Sequence, residues 1–168
     1  MQLVPASDDE LARVGSVIED WAAGQRETAS FVLAVDHDPE LRRWYVRLRG
    51  DDKQHITVWL TVRQRTLHYE TYFMPAPEEQ IEACFEYLLR VNARLGGMRF
   101  AIGAEDAVYL VGEQAVSAID TAELDRIIGS SYAWSEECFR QAMAIGFASR
   151  FSASRDPSPV PGFKHESS

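Results

Sequence analysis

The chain has 168 residues, 46% of them hydrophobic and 26% charged. That balance excludes wholesale disorder and suits one globular domain with a core large enough to fold without disulfide staples. Seventeen basic against twenty-six acidic side chains give a formal charge of −9, a field that repels phosphate backbones and argues against nucleic acid as a partner.

The amino terminus, MQLVPASDDE, has no basic start and no apolar run, so it does not read as a secretory signal. No apolar stretch approaches the roughly 18 residues that suggest a membrane span. The expectation is a cytoplasmic protein with no membrane partner. Cys84 and Cys138 sit in helical patterns among apolar neighbours and are expected to be buried, reduced thiols.

The first helix opens at Ser7, which forms a capping-box pattern with Glu10. Leu11, Val14, Ile18 and Trp21 follow at helical spacing, and Gly24 fits the stop. Across residues 30–73 the period falls to two, and four strands succeed one another. Phe31, Leu33 and Val35 alternate in the first, and Trp44, Val46 and Leu48 in the second. Ile56, Val58, Leu60 and Val62 mark the third; Leu67, Tyr69, Thr71 and Phe73 mark the fourth.

Short breaks at residues 37–40, 50–53 and 64–65 make this an antiparallel meander. The first break as a loop sets Leu33 opposite Trp44 and Phe31 opposite Val46. A two-residue loop at Gln64-Arg65 sets Leu60 opposite Tyr69 and Val58 opposite Thr71. Keeping Leu48 opposite Ile56 demands an odd connection, such as residues 50–54 or a bulge.

Pro77 suits the first position of a second helix. It carries Glu78, Glu79 and Glu82 near its start, a stripe of Ile81, Cys84, Phe85, Leu88, Val91 and Leu95, and Gly96-Gly97 at its end. A hairpin of residues 99–104 and 107–111 turns at Glu105-Asp106, setting Phe100 opposite Val111 and Ile102 opposite Tyr109. Asp120 and Glu123 cap a long third helix, where Gly129-Ser130-Ser131 is a candidate kink. Residues 1–151 thus read as one α+β domain. Residues 152–168 are rich in Pro and Ser without periodicity and are expected to be a disordered tail.

Catalytic patterns are missing from the chain: it holds no phosphate-binding loop, no dinucleotide turn, no zinc-protease helix motif and no nucleophile elbow. Asp36-His37-Asp38 cannot aim alternating ligands at one metal ion, and His55 and His68 lie too far apart along their strands to share a site. The expectation is a non-enzymatic protein without cofactor or metal. The outward sheet face is different, because Tyr45, Trp59 and Tyr72 with Arg47 share it. These residue types are enriched where proteins bind proteins, and monomers seldom leave such patches bare. Coverage by another part of the chain, a homodimer interface and a peptide-binding surface all fit the pattern.

The order helix, meander, helix, hairpin, helix resembles the YbjN family, whose fold is similar to that of type III secretion chaperones. The similarity spans roughly residues 5–150. It is carried most by MPAPEEQIEACFEYLLRVNARLGGMRFAIGAEDAVYLVGE, where a strand exits through prolines into a helix ending V-N-A-R-L, with a hairpin beginning M-R-F. Asn92 falls where such families place an asparagine before the helix end. The resemblance implies a chaperone-like or regulatory adaptor that binds a peptide or a partner protein, with the homodimer as one form. The rival reading is a small-molecule binder or enzyme with a pocket between helices and sheet, for which Tyr69 and Thr71 are the chief inward polar groups.

Overall fold

The computed structural model describes residues 4–28 and 31–153. Six strands form one antiparallel sheet: β1 (Val32–Asp38), β2 (Arg43–Arg49), β3 (His55–Val62), β4 (Thr66–Met74), β5 (Met98–Ile102) and β6 (Val108–Ala115). Their order across the sheet is β1-β2-β3-β4-β6-β5, so the meander continues into β6 and the hairpin partner β5 becomes an edge. Four α-helices are described with it: α1 (Asp8–Glu27), α2 (Ile81–Asn92), α3 (Thr121–Gly146) and α4 (Ala148–Ala153).

One layer of helix covers one sheet face. Val14, Ile18 and Trp21 of α1, Cys84, Leu88 and Val91 of α2, and Leu124, Ile127 and Cys138 of α3 join a single cluster with Val46, Val58, Leu60, Tyr69 and Phe73. Polar ties fix the layer. Trp21 Nε1 donates to Asp125 at 2.7 Å, and Arg13 donates to the carbonyls of Val116 and Ile119 at 2.8 and 2.9 Å. Both cysteines are buried and unpaired, and burial raises the pKa of each thiol.

Two expected registers are observed: Leu60 pairs with Tyr69 and Val58 with Thr71. The five-residue connection also holds, with Leu48 opposite Ile56 and Gly50 N–H donating to Gln54. The first hairpin differs. Asp38 accepts the amides of Glu40 and Leu41, Pro39 takes the second turn position, and Arg42 adopts a left-handed φ of 49°. This moves the loop to residues 39–42, so His37 rather than Leu33 faces Trp44, and Val35 rather than Phe31 faces Val46. A bulge between Val32 and Ala34 then leaves Leu33 exposed. The strand's alternation also sends Asp36 outward and His37 inward, where its ring stacks on Trp44 at 4.1 Å.

The second hairpin slips by one residue. Gly103 N–H donates to Ala107 across a five-residue turn with Glu105 and Asp106 both at positive φ, which sets Phe100 opposite Leu110 and Ile102 opposite Val108. Helix α2 begins at Ile81, four residues after Pro77, because the amides of Glu78 and Glu79 both bond the carbonyl of Gly146 and hold that segment against the end of α3. It ends at Asn92 rather than at Gly96-Gly97. Helix α3 passes unbroken through Gly129. Helix α4 extends to Ala153, two residues past the expected domain end; the expected tail from 154 onward lies outside the described residues.

Candidate functional site

The face opposite the helices gathers the singled-out residues because strand alternation turns the aliphatic set inward and the rings and guanidinium groups outward. One row runs straight across all six strands: Asp36, Tyr45, Trp59, Glu70, Val111 and Arg99 are successive partners. A flanking row holds Arg43, Thr61, His68 and Glu113. On the other side Arg47 pairs with Thr57, and Tyr72 with Tyr109. Tyr45, Arg47, Trp59 and Tyr72 therefore share one face, as expected.

The side chains are organised by contact with each other. Tyr45 and Trp59 meet edge to face with centroids 5.7 Å apart, and Tyr72 meets Tyr109 in the same manner at 5.7 Å. Arg43 lies over the Trp59 ring at 4.9 Å while its Nε donates to Thr61 at 2.9 Å. Arg47 pairs with Asp36 at 3.1 Å and His68 approaches Glu70 at 3.5 Å. Burial, then the neighbouring Tyr109 and Glu105, raise the pKa of Tyr72, which keeps its hydroxyl protonated and able to donate. Tyr72 is 46% exposed, and Tyr45, Trp59 and Tyr109 are half-buried. The ring and ion contacts of these outward groups run to one another and to Lys53 of the β2–β3 loop.

That loop borders the face and is tied down from below. The Glu136 carboxylate of α3 accepts the backbone amides of Asp51, Asp52 and Lys53 at 3.0, 2.7 and 3.2 Å. Arg140, one turn on, pairs with Asp52. Lys53 Nζ donates to the carbonyls of Tyr72 and Phe73 and lies 5.0 Å from the Tyr72 ring centre. Its carbonyl partners sit where the β4–β6 register shifts between Tyr72 and Met74. Burial lowers the Lys53 pKa to about 8 against an opposing pull from Glu136.

Sequence reasoning missed Tyr109, Arg43 and the Lys53–Glu136 clasp. Arg43 was within reach, since it alternates with Tyr45 and Arg47. Tyr109 was lost with the one-residue slip of its hairpin. Nothing local connects Glu136 with a loop more than eighty positions away.

The inward polar groups Tyr69 and Thr71 are packed into the core rather than lining an open cleft. Tyr69 donates to Gly97 at 2.5 Å, and Thr71 is 1% exposed within the core. Grooves among the described residues include an apolar one of about 280 Å³ between α2 and β5 and an open cleft of about 720 Å³ between α1 and the first hairpin.

No protein-family model matches the chain. The uncharacterized protein Rv0487 of Mycobacterium tuberculosis is 33% identical over 104 residues, 62% of this chain and 57% of that protein. Protein ML2442 of Mycobacterium leprae is 28% identical over 109 residues, 65% of this chain and 59% of that protein. The chain thus spans less than two thirds of the length of these relatives. In solved structures, a chain of the ExsC–ExsE complex superposes with a TM-score of 0.55 at 16% identity, over 77% of this chain and 93% of that one. A chain of the HopA1–SchA chaperone–effector complex gives 0.55 at 12% identity, over 82% and 99%. The Yersinia pestis type III secretion chaperone SycH, bound to a stable fragment of YscM2, gives 0.51 at 16% identity, over 73% and 96%. The fold is that of type III secretion chaperones.

Proposed function

We propose that this chain is a non-enzymatic, chaperone-like or regulatory adaptor whose outer sheet face binds a peptide or a partner protein. The single observation that carries the reading is the set of paired rings and guanidinium groups gathered on one sheet face, built on Tyr45, Arg47, Trp59 and Tyr72 and extended by Arg43 and Tyr109. Rings already held by their neighbours lose little conformational freedom on docking, which makes them efficient anchors. Arg43 and Arg47 add planar donors for carboxylates or carbonyls of a partner.

Further observations support the reading. The fold is shared with a type III secretion chaperone bound to a fragment of YscM2 and with a chain of the HopA1–SchA chaperone–effector complex. The resemblance to the YbjN family implies a role of the same kind. No helix among the described residues is long and apolar enough to cross a membrane, which fits an adaptor working in the cytoplasm.

The test is a quantitative pull-down comparing the unaltered chain with Trp59→Ala plus Tyr72→Ala, and with the surface control Glu86→Ala. Two central ring truncations at roughly 1–2 kcal/mol each reduce recovery of a specific partner by about tenfold or more. Unchanged recovery from the double variant rejects the site.

A further inference from the structure

Strand β5 is one of the two edges of the sheet. Gly103 N–H bonds Ala107 across the hairpin, so Ala101 and Arg99 lie on the side facing β6. The alternation of an antiparallel ladder then turns the backbone N–H and C=O of Met98, Phe100 and Ile102 outward. Such a row is a template for another strand.

The middle of this row is filled by one side chain. Asn92, the last residue of α2, accepts the Phe100 N–H on Oδ1 at 2.7 Å and donates Nδ2 to the Phe100 carbonyl at 3.1 Å. A carboxamide presents one acceptor and one donor side by side, which is what a residue of a neighbouring strand would present to Phe100. The amide is held in place because Leu88 and Val91 anchor the end of α2 in the core. The opposite edge is blunted by other means, through the bulge between Val32 and Ala34 and the acidic residues Asp36 and Asp38.

We propose that Asn92 is a strand surrogate that closes the β5 edge against a second copy of this chain. The partner excluded is a second β5, since an antiparallel pair centred on Phe100 is self-complementary about a two-fold axis. In that register Arg99 would face Ala101 and Met98 would face Ile102, so no like charges oppose each other. Ile102 and Leu89, at 56% and 67% exposed, flank the edge and add apolar surface to such a contact. The proposal concerns a sheet edge and does not depend on the outer face binding anything.

Asn92→Ala removes both bonds and the side chain that fills the edge. Sedimentation velocity over a concentration series is expected to show self-association about tenfold tighter than in the unaltered chain, the scale of one to two freed backbone bonds. Adding Ile102→Pro, which removes an outward N–H from the same edge, is expected to restore the original behaviour. Unchanged association of a natively folded Asn92→Ala protein overturns the proposal, as does association that survives Ile102→Pro. Should Asn92→Ala not fold, amide exchange in the unaltered chain decides: the Phe100 amide should exchange about tenfold more slowly than that of Ile102, and equal rates overturn the assignment.

Discussion

Glu136→Ala is the sharpest test of how the outer face is held in shape. The carboxylate accepts three consecutive loop amides at 2.7 to 3.2 Å and adds an attraction to Lys53. Three charge-assisted bonds would be worth well over 4 kcal/mol if buried, at roughly 1.5–3 kcal/mol each. Asp51 and Asp52 are exposed, so water takes over much of that role once the carboxylate is gone. A net loss of about 2 kcal/mol remains, which lowers the unfolding midpoint by about 4–8 °C in a chain of this size. Differential scanning calorimetry reads the first effect, and amide exchange at residues 51–53, faster by an order of magnitude, reads the local release. A midpoint within 1 °C of the unaltered protein, with unchanged exchange in the loop, refutes the clasp.

Lys53 also makes stability depend on pH with a defined sign. Its amine has a pKa of about 8 when folded against 10.5 unfolded, so between those values the unfolded chain carries the extra proton and stability rises with pH. Compared with Lys53→Met, the unaltered chain therefore gains stability as pH passes 8 and levels off near 10.5; a constant difference in urea midpoints across that range contradicts the burial of the amine. Tyr87 acts in the opposite direction in both proteins: its pKa is pushed up to about 12, chiefly by burial, so stability falls as pH climbs from 10. Gly112→Ala tests the packing under the sheet. A Cβ there would lie 2.3 Å from the Tyr69 ring and 2.4 Å from the Gly97 carbonyl, so a loss of about 1–3 kcal/mol is expected; a chemical-denaturation midpoint equal to that of the unaltered chain rules out the close approach.

What was legible in the sequence was whatever alternation and short loops determine. The Gln64-Arg65 turn and the five-residue connection after Arg49 fixed two registers, and those two registers place Trp59 beside Tyr45 and on the outward face. The misplaced loops were ones where turn chemistry outweighed composition. Asp38 caps the turn that follows it instead of sitting inside it. Glu105 and Asp106 both take positive φ and lengthen their hairpin by an odd number of residues, which sends Tyr109 outward. The start of α2 was hidden for a different reason. Glu78 and Glu79 find their backbone partner at Gly146, far along the chain, so Pro77 closes a tertiary contact before the helix begins. The Glu136 clasp and the Asn92 surrogate are tertiary as well, and the residue types alone announce neither.

Site-specific photocrosslinking bears most directly on where the partner sits. A benzophenone side chain in place of Tyr45, at the centre of the ring row, should capture a discrete polypeptide that the same probe in place of Arg90, on the far surface of α2, does not. Capture from position 90 and not from position 45 would mean that the helix layer makes the contact and the aromatic sheet merely faces solvent.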